Sequence, residues 1–281
     1  MTVTGASPKA LLESHGLRAK RHFGQNFLCD AGLAARIAAL ATTPEGGTVV
    51  EIGAGLGALT VPLLDRAERV LAIERDRDLV AVLRVEFAGA IGQGRLVLLE
   101  ADAKAVDLAS LLDEASRPRV LAGNLPYQIT GPLLEKTTAA RPLLERAVLM
   151  VQLEVADRIA APPGSASYGA LSVFIQAQYT ARRELVVRRG AFYPQPKVDS
   201  AVVVLEPRAP LNFEETESFR AVVKAAFAQR RKKLKNAWGS LVAGSRTDLT
   251  AAAQRAGIDL DARGETLTVE QFARMAAEVE R

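Results

Sequence analysis

The sequence predicts an α/β fold, in which a mainly parallel sheet is followed by a small all-helical domain. Apolar segments of strand length, rich in Val, Ile and Leu, alternate with helical segments through most of the chain. Such alternation is typical of a parallel sheet with helices on both faces. Beyond a proline-bearing linker at 207–211, apolar residues recur only at helical spacing. This change of period predicts a separate helical domain.

The alternation can be followed along the chain. Helical segments are predicted at 31–41, from Ala58 onward, and at 76–88, 107–115, 131–140, 153–161 and 170–178. Strands are predicted at 48–52, 69–74, 95–100, 119–123 and 184–188, with an apolar run at 146–152 and a last β-branched strand within 197–206. In such sheets ligands bind in the crevice outside the carboxyl ends of the strands. The loops that follow the strands are therefore the first places to look for function.

The helical domain is predicted from two apolar stripes. Their members are Phe219, Val223, Ala226 and Phe227 in the first stripe, and Leu234, Trp238 and Leu241 in the second. A spacing of three or four residues places each stripe on one face of a helix. We therefore divide the chain into a first domain at 1–208 and a second domain at 209–281.

Composition excludes several classes of protein. The chain has 281 residues, of which 49% are hydrophobic and 24% charged, as in ordinary globular proteins. The single cysteine, Cys29, leaves no disulfide partner within the chain and is expected to be a small core residue. Only His15 and His22 are present, which argues against a zinc site or a Ser-His-Asp hydrolase, and no metal is expected. No signal peptide or membrane span is evident, so a cytoplasmic location without a membrane partner is expected.

The distribution of charge is more informative than its total. The formal net charge is only +4, but basic residues cluster at 18–22, 182–189 and 230–235. A run of like charges is usually a solvated face. Three such runs make a polyanionic partner, such as a nucleic acid, a hypothesis to test.

A glycine-rich loop follows the first predicted strand. The segment "EIGAGLG" places Gly53, Gly55 and Gly57 between that strand and a helix. Glycine lets the backbone turn sharply and approach a ligand closely, and a helix N-terminus favours anionic groups. Glu74 ends the next strand, where a carboxylate can accept hydrogen bonds from both hydroxyls of a ribose. The pattern predicts a nucleoside-containing cofactor.

Two cofactors compete for this loop. The dinucleotide fingerprint requires G-x-G-x-x-G, whereas this loop is G-A-G-L-G with Glu51 two positions before its first glycine. The arrangement resembles the nucleotide loop of S-adenosylmethionine-dependent methyltransferases. Asp102, after the third strand, stands where such enzymes bind the adenine amino group. Three acids and three glycines at successive strand ends favour S-adenosyl-L-methionine over a nicotinamide cofactor.

The segment "NLPY", residues 124–127, follows the fourth predicted strand. The lone pair of an exocyclic adenine amine is delocalised into the ring, so this amine is a poor nucleophile. The Asn124 side-chain oxygen and the Leu125 carbonyl could accept hydrogen bonds from both of its N–H groups and favour a pyramidal nitrogen. Tyr127, and Phe192 just before the last strand, could stack on a base taken out of its helix. A turn and a core aromatic are the plainer interpretations of these residues.

Five segments together resemble the ribosomal RNA adenine N6,N6-dimethyltransferase family. They are "KRHFGQNFL" (20–28), "EIGAGLG" (51–57), "NLPY" (124–127), "FYPQPKVDSAVV" (192–203) and "FAQRRKKLKN" (227–236), in the family's order. The resemblance implies a Rossmann-like class I methyltransferase sheet in the first domain. It also implies that Tyr127 and Phe192 flank the target base. The residues expected at the cofactor, with Gly55 added from the glycine loop, are Asn26, Leu28, Gly53, Gly55, Glu74, Asp102 and Asn124.

The resemblance is to the branch that dimethylates two adjacent adenines in the 3′-terminal hairpin of small-subunit (16S) ribosomal RNA. The implied partner is that RNA within an assembling 30S particle. Five cations on a basic helix are predicted to bind RNA, namely Arg230, Arg231, Lys232, Lys233 and Lys235. Two alternatives stay open: a large-subunit RNA methyltransferase of the macrolide-resistance type, and a ribosome-assembly or RNA-binding factor with secondary catalysis.

Overall fold

The computed structural model describes residues 7–208, 215–229, 231–239, 241 and 248–280. The chain divides into two compact units. The first unit comprises Met1–Ala156 with Arg182–Pro207, and the second comprises Asp157–Ala181 with Arg208–Arg281. The predicted boundary near residue 208 coincides with one of the points at which the chain leaves the first unit and enters the second, between Pro207 and Arg208. The prediction placed Asp157–Ala181 in the first domain, and this was wrong, because the segment belongs to the second unit.

The described residues form nine strands and thirteen α-helices. The strands are β1 (Phe27–Leu28), β2 (Thr48–Ile52), β3 (Arg69–Glu74), β4 (Leu96–Glu100), β5 (Arg119–Asn124), β6 (Arg146–Gln152), β7 (Tyr179–Val187), β8 (Phe192–Tyr193) and β9 (Ser200–Pro207). The helices are α1 (Pro8–Ser14), α2 (Ala31–Leu40), α3 (Thr60–Leu64), α4 (Arg77–Glu86), α5 (Ala88–Gly92), α6 (Leu108–Asp113), α7 (Thr130–Ala139), α8 (Leu153–Ile159), α9 (Ala170–Gln178), α10 (Glu217–Ala228), α11 (Leu234–Gly239), α12 (Leu249–Ala256) and α13 (Val269–Glu280). The predicted alternation of strand and helix is confirmed.

Seven strands form the main sheet in the order β4-β3-β2-β5-β6-β9-β7. Strands β2 to β6 pair in parallel, whereas β9 pairs with β6 antiparallel. The chain runs from β2 outward to β3 and β4, and then returns to place β5 on the other side of β2. The order of the strands therefore reverses between β2 and β5. Outside their carboxyl ends lies the crevice in which folds of this kind bind ligands.

Close approach of β2 and β5 depends on a glycine. Gly123 lies opposite Ile52 in the register of the two strands. A Cβ atom on Gly123 would stand 2.5 Å from the Ile52 carbonyl oxygen, which is well inside van der Waals contact. The glycine thus allows the two loops that follow these strands, at Gly53 and Asn124, to come together.

Aspartates begin several helices of the first unit. The Asp30, Asp76 and Asp107 carboxylates accept hydrogen bonds from the first turns of α2, α4 and α6, because the first backbone N–H groups of a helix have no partner within it. Each aspartate thereby fixes where its helix starts relative to the sheet edge.

The second unit has its own hydrophobic core. Tyr168, Val173 and Ala177 pack in the same buried cluster as Phe219 and Trp238. These contacts explain why 157–181 belongs with the C-terminal helices. The first predicted stripe is confirmed on α10, where Phe219, Val223 and Ala226 are buried and Phe227 is partly buried. In the second stripe Leu234 and Trp238 are buried, and the Trp238 indole donates to the Val222 carbonyl at 2.9 Å. Because α11 ends at Gly239, the third member, Leu241, lies outside the helix on which it was predicted.

Cys29 is exposed, so the expectation that it belongs to the core was wrong. Its N–H donates to the Ala191 carbonyl just beyond the short β1–β8 pair, while its side chain lies at the surface. Across the described ranges, no helix combines the length and apolarity that a membrane crossing requires.

Candidate active site

A deep cleft opens at the carboxyl ends of β2 and β5. It encloses about 1120 Å³, counting its open mouth. Its wall is formed by the N-terminal segment 23–28, the glycine loop, the end of β3 and the segment 124–127. Every residue that the sequence predicted at the cofactor lines this cleft: Asn26, Leu28, Gly53, Gly55, Glu74, Asp102 and Asn124. The fold therefore brings together residues that are far apart in the chain.

The glycine loop adopts a backbone that other residues rarely take. Gly53, Gly55 and Gly57 have φ angles of 75°, 60° and 83°, in the left-handed region where a side chain is strained. A Cβ atom on Gly57 would also lie 2.5 Å from the Phe87 ring. The three glycines thus allow the loop to turn beneath the cleft and expose its backbone there.

Glu74 lies at the end of β3 with its carboxylate held by the backbone. One oxygen accepts from the Gly55 N–H at 2.9 Å, and the other accepts from the N–H groups of Arg75 and Asp76. Burial raises the pKa of this carboxyl, and the three backbone hydrogen bonds oppose the rise. Each carboxylate oxygen can accept more than one hydrogen bond, so Glu74 is fixed in place and can still receive a hydroxyl from the cleft.

Asp102 follows β4 on the same edge. Its carboxylate accepts from the Lys104 N–H at 2.9 Å and lies 3.4 Å from Nη1 of Arg75. The Arg75 guanidinium in turn stacks 4.4 Å from the centre of the Phe23 ring. Phe23, Arg75 and Asp102 all line the cleft. They provide an apolar face beside an acceptor, which is the combination that a purine with an amino group requires.

Glu51 is buried at the base of the cleft. Its side chain is 1% exposed and accepts a hydrogen bond from the Thr60 hydroxyl at 2.6 Å. Burial raises the pKa of this carboxyl to about 7, the Thr60 hydrogen bond partly offsets the rise, and the neighbouring Glu74 charge adds to it. Near neutral pH, Glu51 is therefore divided between its protonated and ionised forms.

Two oxygen atoms at the end of β5 can accept hydrogen bonds from a ligand: the side-chain oxygen of Asn124 and the backbone carbonyl oxygen of Leu125. The Asn124 amide donates to the Asn26 carbonyl at 3.0 Å, which fixes the orientation of its side chain. The Leu125 N–H donates to the Met150 carbonyl at 3.0 Å. Within the described part of the chain, neither Asn124 Oδ1 nor the Leu125 carbonyl oxygen accepts a hydrogen bond. Two adjacent acceptors are thus free at the cleft.

The two predicted stacking aromatics have different surroundings. Tyr127 is half-buried, lines the cleft, and shares a hydrogen bond of 2.8 Å with the Ser200 hydroxyl. Phe192 is 5% exposed, packs in the main core and is not among the residues that line the cleft. Phe192 lies opposite Leu28, which lines the cleft, in the β1–β8 pair, and its predicted place beside the target base stays a prediction.

Sequence reasoning missed the contacts that hold the N-terminal loop. Asp76 is 2% exposed, and its carboxylate accepts from Nζ of Lys20 and from Nε2 of Gln25, each at 2.6 Å. Gln25 Oε1 also accepts from the Lys20 N–H at 2.7 Å. Hydrogen bonds to Asp76 are the main cause of a raised pKa at Lys20. The only local signal was that Asp76 precedes a helix, which did not indicate a partner 56 residues away.

The predicted RNA-binding cations lie in the second unit. Arg230 falls outside the described residues. Arg231, Lys232, Lys233 and Lys235 are all exposed, but α11 begins only at Leu234, so the expectation of one basic helix was wrong. Leu234 is fully buried and its N–H donates to the Ala262 carbonyl, which sets the start of this short helix.

The cleft fits the adenosyl part of S-adenosyl-L-methionine. A backbone cradle without Cβ atoms, a carboxylate for a ribose at Glu74 and an acceptor beside an aromatic face at Asp102 surround one space. A metal is not needed for these contacts. Among the residues that the structure describes, no three or more His, Cys, Asp or Glu side chains are grouped so as to hold a metal ion.

Comparison with known proteins gives matches over nearly the whole chain. A sequence model described as ribosomal RNA adenine dimethylase matches residues 16–281. The ribosomal RNA small subunit methyltransferase A of Anaeromyxobacter sp. (strain K) is 45% identical, with 97% of this chain and 98% of the relative covered. The protein of the same name from Magnetococcus marinus is 46% identical, with 95% and 94% covered.

Solved structures show the same fold. A dimethyladenosine transferase from Plasmodium falciparum superimposes with a TM-score of 0.74 at 25% identity, covering 89% of this chain and 95% of that one. The 23S rRNA methyltransferase ErmE superimposes with a TM-score of 0.69 at 28% identity, covering 91% and 100%. The predicted Rossmann-like class I methyltransferase fold is confirmed. The family match over nearly the whole length and the identity of the curated relatives show that this chain belongs to the ribosomal RNA adenine dimethylase family.

Proposed function

We propose that the chain dimethylates N6 of two adjacent adenines in the 3′-terminal hairpin of 16S ribosomal RNA, in the cytoplasm and on an assembling 30S particle. As a member of its family, the protein is an rRNA adenine dimethyltransferase that uses S-adenosyl-L-methionine. The small-subunit substrate follows the relatives that are about 45% identical. The large-subunit enzyme ErmE is a more distant match.

The observation that carries the proposal is the pair of free acceptors at Asn124 and Leu125. An adenine amine that enters the cleft has two N–H groups, and these two oxygens can accept both. Such hydrogen bonds favour a pyramidal nitrogen and aim its lone pair into the cleft. S-adenosyl-L-methionine supplies an electrophilic methyl group on a sulfonium when it is bound. Catalysis by the chain then consists of positioning and electrostatic stabilisation.

Asn124 is not a base in this scheme. Its amide cannot take up a proton at neutral pH, and the methylated amine is acidic enough to release its proton to water. What the chain supplies is orientation: the Asn26 carbonyl holds the Asn124 amide, and the Met150 carbonyl holds the Leu125 N–H. Preorganised acceptors of this kind need no rearrangement as the reaction proceeds.

The target base is proposed to stack on Tyr127. The ring lines the cleft beside Asn124, and its hydroxyl is fixed by Ser200. A base must leave its stack to reach the cleft, and stacking on an aromatic ring offsets part of that cost. Phe192 is proposed to support the cleft wall through its place in the core, within β8 and opposite Leu28 of β1.

The experiment that tests the function is methyl transfer to ribosomal particles that lack the modification. Purified protein with labelled cofactor is expected to form N6,N6-dimethyladenine in 16S RNA of small subunits. Asn124→Ala is expected to reduce turnover by roughly 10²–10³, because it removes one well-placed acceptor, while particle binding is retained.

The products should be mapped in both ribosomal RNAs. Methylation confined to 23S RNA would assign the protein to the macrolide-resistance branch. Particle binding without methyl transfer by the wild-type protein would make it a binding factor. Near-normal turnover in Asn124→Ala would remove this residue from the mechanism.

A further inference from the structure

A second concave surface of the first unit, outside the cleft, is basic. Its lining residues are Arg188, Arg189, Gly190, Gln195, Lys197 and Asp199, and we call it the basic groove. Three cations and a single carboxylate among these residues give the groove a net charge of +2. All but Asp199 are exposed. A concave surface with this charge suits an anion.

The Asp199 carboxylate holds two residues of the basic groove in place but does not neutralise the positive charge of the groove. Asp199 accepts from Nη1 of Arg188 at 2.8 Å and from the Arg189 N–H at 2.9 Å. The Arg188 side chain is 82% exposed, and its guanidinium has further N–H donors that can bind a ligand. Within the described chain, the side chains of Arg189 and Lys197 make no hydrogen bond or ion pair. The side chains of Arg189 and Lys197, and the remaining N–H donors of Arg188, are therefore available to bind an anion.

The groove is joined to the cleft by direct contacts. Ser200, which follows Asp199, shares the hydrogen bond with the Tyr127 hydroxyl. The Ala191 carbonyl accepts from the Cys29 N–H at 2.8 Å, and β8 pairs with β1, whose residues line the cleft. The groove residues thus precede and follow β8 in the chain, and their immediate neighbours Ala191 and Ser200 contact residues at the cleft.

We propose that the basic groove binds the phosphodiester backbone of the RNA strand that carries the target adenines, beside the nucleotide that enters the cleft. This inference rests on the proposed function. Taking a base out of its stack costs free energy, and contacts to phosphate position the strand for it without reading sequence. Arginine suits this role because its planar N–H donors match two phosphate oxygens.

Gly190 offers a test that removes no existing contact. No atom lies within 4 Å of a Cβ atom built on it, and its φ is not left-handed, so a side chain can be added without strain. Gly190→Glu places a negative charge in the groove, and Gly190→Gln is the neutral control of the same size. A second variant, Arg189→Ala with Lys197→Ala, removes the two cations that have no partner.

Binding of the variants to unmethylated small subunits should be measured as a function of salt. Gly190→Glu is expected to bind more weakly than Gly190→Gln. The double variant is expected to lose about 0.7 in the log–log salt slope for each phosphate contact removed from a single strand. In methyl transfer, KM for the particle should rise, while kcat and the affinity for S-adenosylhomocysteine stay unchanged.

Equal particle affinity and equal salt slope in Gly190→Glu and Gly190→Gln would overturn the proposal. So would a fall in kcat with KM unchanged, because it would indicate a role in the chemistry. If the wild-type protein fails to methylate any particle, the proposed function fails. In that case, the affinities of Gly190→Glu and Gly190→Gln for a single-stranded RNA oligonucleotide can still be compared, and they decide whether the basic groove binds RNA.

Discussion

At the scale of single residues, Glu51 and Glu74 show how surroundings give different properties to the same side chain. Both carboxyls are buried at the cleft, and burial raises the pKa of each. Glu74 accepts three backbone N–H groups, which favour its ionised form, whereas among the described residues Glu51 accepts only the Thr60 hydroxyl. The backbone hydrogen bonds of Glu74 thus stabilise its carboxylate form, whereas Glu51 titrates close to neutral pH.

The titration of Glu51 predicts how stability depends on pH. Its pKa is about 7 in the folded protein against an ordinary value of 4.5, so the folded state holds the proton more tightly. The contribution of Glu51 to the free energy of unfolding is then highest below pH 4.5 and falls as pH rises to about 7. The difference corresponds to about 3 kcal/mol.

Glu51→Gln keeps an acceptor for Thr60 and removes the charge. Relative to wild type, this variant is expected to gain about 3 kcal/mol in free energy of unfolding between pH 4.5 and pH 8. Denaturant unfolding of both proteins at several pH values in this range gives the difference between their free energies of unfolding. Other titrating groups are the same in both proteins, so their contributions cancel in this difference. A difference that is constant with pH would show that Glu51 is not held in its protonated form.

Glu74 is predicted to bind the ribose of the cofactor. Glu74→Ala is expected to weaken S-adenosylhomocysteine binding by about ten- to a hundredfold, as is typical for hydrogen bonds to a charged group. Glu100 is a matched control, since it lies opposite Glu74 at the end of β4 but does not line the cleft. Calorimetry should find nearly normal affinity in Glu100→Ala, and an equal loss in both variants would contradict the role of Glu74.

At the scale of elements, the N-terminal loop couples the two halves of the site. Asp76 caps α4 beside Glu74 and also holds Lys20 and Gln25. The next residue of the loop, Asn26, accepts from the Asn124 amide through its carbonyl. One buried carboxylate therefore connects the cofactor side of the cleft to the residue that orients the target amine.

This coupling predicts the effect of Asp76→Asn. The variant replaces one acceptor oxygen by an N–H₂ group, which cannot accept from Lys20 or Gln25, so the loop and the Asn26 carbonyl are expected to shift. Misplacement of a reacting group by about 1 Å can cost about 10²-fold in rate. We expect kcat to fall at least tenfold, on the order of that effect, with a smaller change in KM for RNA.

Asp78→Asn is the control for this prediction. Asp78 also pairs with Lys20 at 2.6 Å but is exposed and does not contact Gln25. It should change kcat little. Equal kinetics in Asp76→Asn and Asp78→Asn would show that the buried carboxylate does not position Asn124, and thermal unfolding of both variants separates a loss of fold from a loss of rate.

The elements of the first unit could be predicted from sequence wherever burial dictates composition. The strands β2 and β3 agree with the prediction to the residue because they are buried and apolar. The strand β7 was predicted too short because it lies at the sheet edge, where exposed charges such as Arg182, Arg183 and Glu184 replace apolar residues. The contact between Lys20 and Asp76 joins distant segments, and no local pattern indicates it.

At the scale of the whole molecule, the sequence predicted that a helical unit exists but not all of its parts. The segment "ALSVFIQAQ" was predicted as a helix, which α9 confirms. Its apolar residues would suit any hydrophobic core, so composition could not show that Val173 and Ala177 join the cluster of Phe219 and Trp238. Membership of a core is decided by the contacts of the fold.

The cations of the second unit differ in how far they are already neutralised. Nζ of Lys233 and of Lys235 lie 3.2 Å and 2.7 Å from the Asp261 carboxylate. Within the described residues, the side chains of Arg231 and Lys232 have no acidic partner. An RNA phosphate must compete with Asp261 for the first pair, whereas the second pair can bind it directly. The two pairs should therefore contribute unequally to RNA binding.

We predict that Arg231→Ala with Lys232→Ala weakens binding to small subunits more than Lys233→Ala with Lys235→Ala. Loss of two phosphate contacts should reduce the log–log salt slope by about 1.4 for single-stranded and 1.8 for duplex RNA, taking the duplex value from B-DNA. Asp261→Asn is expected to strengthen binding, because it releases both lysines. Filter binding at several salt concentrations measures all three, with S-adenosylhomocysteine affinity as the control. If the three variants share the wild-type slope, these cations serve solubility, and RNA is bound elsewhere on the protein.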